Sequence, residues 1–180
     1  KLEIHIFEFQ KFTMKSIYQT NFKNQKVLVR VDFNVPLNSE KIVTDNSRII
    51  AAKKTIDKII NDGGTAILMS HLGRPKGKDP ELSLIHIVKA VESVLEKPVL
   101  FTNQVIGEKT TEIVKNSKPG QIVLIENLRY YPQEEEGNNS FAKELSKLAG
   151  SYVNDAFGTA HRAHASTSVV AEFFKGNKFA

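Results

Sequence analysis

Four segments of this sequence place arginine, histidine, aspartate or asparagine directly after an apolar, strand-like run. The segments are VRVDFNVP at 29–36, SHLGRP at 70–75, ENLR at 126–129 and NDAFGTAHRAH at 154–164. Guanidinium and imidazole groups bind the oxygens of phosphates and carboxylates, and arginine does so with two parallel hydrogen bonds. The types and positions of these residues therefore indicate a site for a small anionic ligand.

Each segment, taken alone, also fits an ordinary surface loop, because Asp and Asn are common turn-forming residues. The loop at 73–78 carries glycine and basic residues, yet it is not a P-loop. Its glycines are too close together, and Asp79 stands where a Ser or Thr would hold magnesium. The spacing of His161 and His164 suggests a metal pair, but no companion carboxylate completes it, so we expect no metal site there.

The residues between these segments alternate between strand-like and helix-like patterns. Apolar, β-branched runs predict strands at 27–31, 66–69, 99–101, 122–125 and 152–153. Helical patterns predict helices at 46–61, 83–96, 104–116 and 139–148, and a last helix beginning near Thr167. This alternation predicts an α/β fold, a three-layer doubly wound parallel sheet with helices on both faces. The four polar segments should then meet at the edge formed by the carboxyl ends of the strands.

Length and composition are typical of one globular domain. The chain has 180 residues, 41% of them hydrophobic and 25% charged. It contains no cysteine, which excludes disulfides, thiolate zinc sites and thiol nucleophiles. The absence of cysteine fits a cytoplasmic location, which we expect. Because no apolar run approaches about 20 residues, we expect no membrane span. Residues 1–13 look unlike the rest of the chain, so we expect them to be an extraneous leader before a natural start at Met14.

The formal net charge of +5 favours an anionic partner, which could be a nucleic acid, a membrane surface or a small phosphorylated molecule. Most lysines are scattered along the predicted helices, as on a solvated surface. The arginines instead lie in or beside strand ends and turns, at Arg30, Arg48, Arg74, Arg129 and Arg162. Nucleic-acid binding rests on charge alone, since no known nucleic-acid-binding motif is present. We therefore expect a small anionic ligand.

The segments VRVDFNVP, DNSRI, SHLGRP, LIENLRY and NDAFGTAHRAHAS, in this order, resemble the N-terminal domain of phosphoglycerate kinase. The resemblance runs from about Lys26 to the end of the chain. It implies a glycolytic phosphotransferase with a carboxyl group as acceptor, which moves a phosphoryl group between 1,3-bisphosphoglycerate and ADP. The products are 3-phosphoglycerate and ATP. The resemblance also implies a monomer with no nucleic-acid or membrane partner.

The resemblance assigns roles to individual residues. Arg48 is the expected catalytic residue, which orients the reacting carboxylate and stabilises the phosphoryl group in flight. Asp32 and Asn34 are expected to hold the hydroxyl and carboxyl end of the substrate. The residues expected to bind the non-reacting phosphate are His71, Arg74, Arg129 and Arg162. The expected substrate-binding set also includes Phe33, Leu72 and Gly73. A supporting basic patch is expected from Arg30, His161 and His164.

In that family the nucleotide and its Mg²⁺ ion bind to a C-terminal domain, which this sequence lacks. We therefore expect no cofactor site and no metal site in this chain, with Mg²⁺ and ADP or ATP bound only in the complete enzyme. The phosphoglycerate-binding domain, 14–180, is expected to be incomplete at its C-terminal end and inactive alone, with the missing domain as its partner. A stand-alone phosphoglycerate-binding module without catalysis is the alternative.

Overall fold

The computed structural model describes residues 16–156, 158 and 163–179. The predicted leader at 1–13, His161 and Arg162 lie outside the described residues. Within them, six parallel strands form one sheet in the order β3-β4-β2-β1-β5-β6. The strands are β1 Lys26–Arg30, β2 Thr65–Met69, β3 Val99–Phe101, β4 Ile122–Leu124, β5 Ser151–Asn154 and β6 Lys178–Phe179.

The helices pack on both faces of this sheet, which confirms the predicted α/β fold. They are α1 Ser47–Asn61, α2 Val88–Leu95, α3 Glu108–Asn116, α4 Pro132–Glu135 and α5 Asn139–Ser146. Shorter 3₁₀ turns occupy Ile17–Gln19, Pro80–Leu82, Leu84–Ile87, Leu128–Tyr130 and Val169–Phe173. Over the described ranges, none of the helices combines the length and apolarity that crossing a membrane requires.

Three of the predicted helices differ from the observed ones in start or type. The helix predicted at 104–116 begins only at Glu108, because the hydroxyls of Thr102 and Thr110 both donate to the Gln104 carbonyl and hold that segment in a loop. The helix predicted at 83–96 begins as a 3₁₀ turn, where side chains bind the first backbone N–H groups. The helix predicted near Thr167 is the 3₁₀ turn at Val169–Phe173. Strand β6 was not predicted, since two residues form no recognisable pattern.

The central strands are buried on both faces, so alternate residues enter two separate apolar layers. Val27 and Val29 of β1 pack with the α1 and α2 side of the sheet, where Ile56 is fully buried. Leu28 packs on the opposite side, with apolar residues of α3 and α5 such as Leu145. This is the predicted three-layer arrangement, and it fixes the positions of the strand ends.

The carboxyl ends of the four inner strands lie side by side. In the sheet register Arg30 is paired with both Met69 of β2 and Asn154 of β5, and Leu68 is paired with Leu124 of β4. Backbone hydrogen bonds continue past the strands, for example from the Asp155 N–H to the Arg30 carbonyl at 2.9 Å. The described polar residues that directly follow β1, β2, β4 and β5 therefore lie at one edge of the sheet, as predicted.

Candidate functional site

The loop after β1 is joined to the loop after β2 by two hydrogen bonds. The Phe33 backbone N–H donates to the Ser70 hydroxyl at 2.9 Å, and the Asn34 side-chain oxygen accepts from the Gly73 N–H at 2.8 Å. The Phe33 side chain is fully buried and belongs to the apolar layer beside α1. Phe33 thus anchors this loop, and Asn34 helps to set the position of the next one.

Arg48 lies in the first turn of α1 and forms an ion pair with Asp32. Its Nη1 donates to Asp32 Oδ2, and the two side chains are 50% and 23% exposed. An ion pair this accessible to water contributes only about 0–1 kcal/mol to stability. A ligand carboxylate or phosphate can therefore replace Asp32 as the partner of Arg48 at a small cost in free energy. Without a ligand, the ion pair with Asp32 keeps Arg48 near the sheet edge.

The loop after β2 contains a glycine, Gly73, at a position that a residue with a side chain would not fit. Gly73 has φ +62, and a Cβ there would lie 2.8 Å from Leu82 Cδ2. Arg74, which follows it, is exposed, and no hydrogen bond or ion pair joins its side chain to the part of the chain that the structure describes. Leu72 is buried. The loop thus projects one arginine toward solvent from a closely packed base.

Asn127 and Glu126, after β4, are buried and bind backbone groups of the neighbouring loops. The Asn127 amide donates to the carbonyls of Leu72 and Leu82, at 2.8 Å each. Glu126 accepts from the Leu84 N–H at 2.8 Å and from the Ser83 hydroxyl at 2.6 Å. These two side chains hold the loop after β2 in place and do not face the solvent at the sheet edge.

Arg129 joins the same two loops from the other side, with only 8% of the residue exposed. Its Nη1 donates to the Gly73 carbonyl at 2.7 Å, and its Nη2 lies 3.1 Å from Glu135 Oε1. A guanidinium has five N–H donors, and these contacts use two of them. Arg129 therefore supports the glycine loop and retains donors for an anion.

Arg30 and His71 contact each other below the surface. Arg30 Nη2 lies 3.2 Å from His71 Nδ1, and the two residues are 1% and 6% exposed. Burial lowers the pKa of the Arg30 guanidinium below its usual value, and the charge of Glu134 opposes this effect. Arginine stays protonated in proteins even so. His164 also approaches Glu134, with Nδ1 3.9 Å from Oε1.

Glu134 and Ser166 belong to this site and were missed from the sequence. Glu134 is one of three consecutive glutamates, a pattern typical of a solvated surface, yet it is only 1% exposed. The Ser166 hydroxyl donates to it at 2.5 Å. No sequence signal distinguishes Glu134 from its two neighbours. Within the described ranges, no group of three or more His, Asp or Glu side chains could hold a metal ion.

The Asp155 carboxyl, in the loop after β5, has a raised pKa that can be tested by mutation. Its half-buried carboxylate accepts a hydrogen bond from the Thr55 hydroxyl at 2.9 Å and so joins the loop after β5 to α1. Burial raises the pKa of this carboxyl above its usual value of 3.8, and the Thr55 hydrogen bond opposes the rise only in part. The folded state therefore binds this proton more tightly than the unfolded state does.

The stability that Asp155 contributes is thus full below about pH 4 and is lost as the pH rises through the raised pKa of the folded state. Asp155→Asn keeps an acceptor for Thr55 and cannot ionise. We expect it to be more stable than the unmodified chain in urea unfolding at neutral pH, with the difference vanishing below about pH 4. Asp57→Asn, a partly exposed control on α1, should change stability by no more than about 0.5 kcal/mol. Lower stability of Asp155→Asn at neutral pH would contradict this account.

Comparisons with known proteins agree on one family. The family model described as "Phosphoglycerate kinase" matches residues 17–180. Relatives with that name include those of Chlorobium phaeobacteroides, 49% identical over 160 residues, and Gloeobacter violaceus, 47% identical over 165 residues. These matches cover 88% and 92% of this chain and 40% of each relative. A solved phosphoglycerate kinase structure from Coxiella burnetii is 34% identical, with a TM-score of 0.81, over 93% of this chain and 41% of that one.

Proposed function

This chain belongs to the phosphoglycerate kinase family and spans about 40% of the length of the curated relatives it matches; on that premise we propose that the carboxyl edge of its sheet binds 3-phosphoglycerate or 1,3-bisphosphoglycerate. The observation that carries the proposal is the presence of three guanidiniums at one edge, from Arg48, Arg74 and Arg129. In the proposed reaction of the longer protein, the phosphoryl group moves between 1,3-bisphosphoglycerate and ADP. We also propose that the longer protein is a monomer, as the resemblance implies, and that it is cytoplasmic, as the absence of cysteine fits.

The charge of the ligand matches this edge. A phosphate ester and a carboxylate together give 3-phosphoglycerate about −3 charges at neutral pH. Arg74 and Arg129 supply donors for the phosphate, together with His71, and Arg162 is proposed to join them. Asp32 can accept a hydrogen bond from the ligand's hydroxyl, with Asn34 beside it.

Arg48 is proposed to act on the reacting end of the ligand. When a phosphoryl group is transferred, the protein contributes mainly positioning and charge stabilisation. A half-exposed guanidinium that is held by one exchangeable carboxylate can align the ligand's carboxylate and then stabilise the charge on the transferred group. As the resemblance implies, Mg²⁺ and the nucleotide are proposed to bind to the part of the longer relatives that this chain does not span.

Arg74→Met is expected to weaken binding of 3-phosphoglycerate about ten- to hundredfold. The reason is that it removes one charge-assisted contact, which is worth about 1.5–3 kcal/mol. Because the Arg74 side chain is exposed and has no hydrogen bond or ion pair with the described residues, the thermal midpoint should stay unchanged. Isothermal calorimetry measures the affinity, and Lys76→Met, which removes the same charge from the same loop, is the control. Equal losses in the two variants would mean that general charge, and not a site at Arg74, controls binding.

A further inference from the structure

A buried chain of polar groups runs from α4 to the end of β1. Glu134 accepts two hydrogen bonds from Ser166, one from the hydroxyl at 2.5 Å and one from the backbone N–H at 3.0 Å. Ser166 is fully buried, and its hydroxyl accepts from Arg30 Nε at 2.9 Å. A hydroxyl has one hydrogen to donate, so donation to Glu134 leaves its lone pairs for Arg30. The directions of all three hydrogen bonds are therefore determined.

The other end of Arg30 reaches His71. Arg30 Nη2 lies 3.2 Å from His71 Nδ1, while Nη1 donates to the Val31 carbonyl. A guanidinium has donors and no acceptor, so this contact requires an Nδ1 without a proton. The imidazole must then be neutral, with its proton on Nε2. A proton on Nδ1 would place two donors against each other.

We infer that Glu134 and Ser166 are positioning residues of the phosphate site, which hold Arg30 so that it fixes His71 as the neutral Nε2–H tautomer. The uncharged imidazole of His71 then donates its Nε2–H to an anion. The positive charge comes from Arg30, which lies buried beneath His71. This inference rests on the proposed phosphoglycerate site. It also accounts for a buried glutamate, because a buried guanidinium without a countercharge is strongly destabilising.

Glu134 is the principal countercharge of Arg30, and Ser166 lies between the two in the chain of hydrogen bonds. Glu134 is the largest favourable charge acting on the guanidinium, ahead of Asp32, and Arg129 opposes it. His164 approaches the same Glu134 oxygen that binds the Ser166 hydroxyl, at 3.9 Å. Without the negative charge of Glu134, the positive charge of Arg30 would lose its main stabilising interaction and would still be repelled by Arg129.

The tautomer of His71 is measurable in the 180-residue chain without a ligand. Long-range ¹H–¹⁵N correlation spectra at neutral pH distinguish a protonated from an unprotonated ring nitrogen, and His71→Gln assigns the signals among the five histidines. We expect an unprotonated Nδ1 and a protonated Nε2. A proton on Nδ1, or a doubly protonated ring, would overturn the inference.

Two variants test the role of the polar chain. Ser166→Ala and Glu134→Gln should each give a mixture of His71 tautomers and weaken 3-phosphoglycerate binding about tenfold, measured by calorimetry. Glu136→Gln, an exposed neighbour, is the control and should change neither result. If Glu134→Gln does not fold, Ser166→Ala decides the matter, since it leaves the Glu134 charge and the backbone hydrogen bond in place.

The outcomes separate this inference from the proposed function. Unchanged ring signals and unchanged affinity in Ser166→Ala would overturn the positioning role. If the unmodified chain does not bind 3-phosphoglycerate, the proposed function fails, yet the spectra still decide whether Glu134 and Ser166 control His71. A purely structural role predicts a lower thermal midpoint with the His71 tautomer unchanged, and that result would also overturn the inference.

Discussion

Arg48→Ala is expected to lower turnover about a thousandfold or more, with a much smaller effect on the KM for phosphoglycerate, in a protein that joins this chain to the remaining length of a family relative. The reason lies in the position of the side chain. Arg48 is half exposed in the first turn of α1, and within the described ranges its side chain forms one ion pair, with Asp32, so it can follow the charge that develops during transfer. An interaction made mainly in the transition state affects kcat more than ground-state binding.

Steady-state kinetics of the joined protein measures this effect. Lys54→Ala removes one positive charge from an exposed position of the same helix and should retain nearly full turnover. Arg48→Lys keeps the charge and loses the planar fork, so it should recover only part of the activity. Turnover of Arg48→Ala close to that of Lys54→Ala would refute the catalytic role.

Asn127→Asp is expected to destabilise the fold by about 3 kcal/mol or more. The Asn127 amide donates to two backbone carbonyls, those of Leu72 and Leu82, and the residue is fully buried. A carboxylate of the same shape has no hydrogen to donate and would place a negative charge against both oxygens. Its neighbour Glu126 is also an acid, which adds repulsion.

Urea unfolding followed by circular dichroism measures the free energy of this change. Asn103→Asp introduces the same charge at an exposed position and should cost no more than about 0.5 kcal/mol. Because Asn127 holds the loop that carries His71 and Arg74, any folded fraction of Asn127→Asp should also bind 3-phosphoglycerate more weakly. Equal stability of the two variants would show that the amide is dispensable.

The sheet was predictable because its central strands are buried on both faces. Such strands consist of continuous apolar, β-branched runs, and the five predicted runs coincide closely with β1 to β5. The convergence of the polar segments follows from parallel strand geometry, since all carboxyl ends then share one edge. Sequence spacing could not predict the start of α3, because hydroxyl contacts to Gln104 control that boundary.

The environment of each arginine was not predictable. Arg30 and Arg74 both stand near strand ends, yet the first is buried and the second exposed. Residue alternation places Arg30 on the same face of β1 as Leu28, toward α5. Its partner Ser166 is 136 residues away, however, and no local pattern indicates such a contact. The buried Glu134 depends on the same long-range packing.

The most direct test of the proposed site is a calorimetric titration of this chain with 3-phosphoglycerate, with Mg²⁺ and ATP as the control ligand. The account predicts a Kd between about 1 μM and 1 mM for 3-phosphoglycerate, which is roughly −8 to −4 kcal/mol, and no response to the nucleotide. No binding of 3-phosphoglycerate by the folded chain would contradict it.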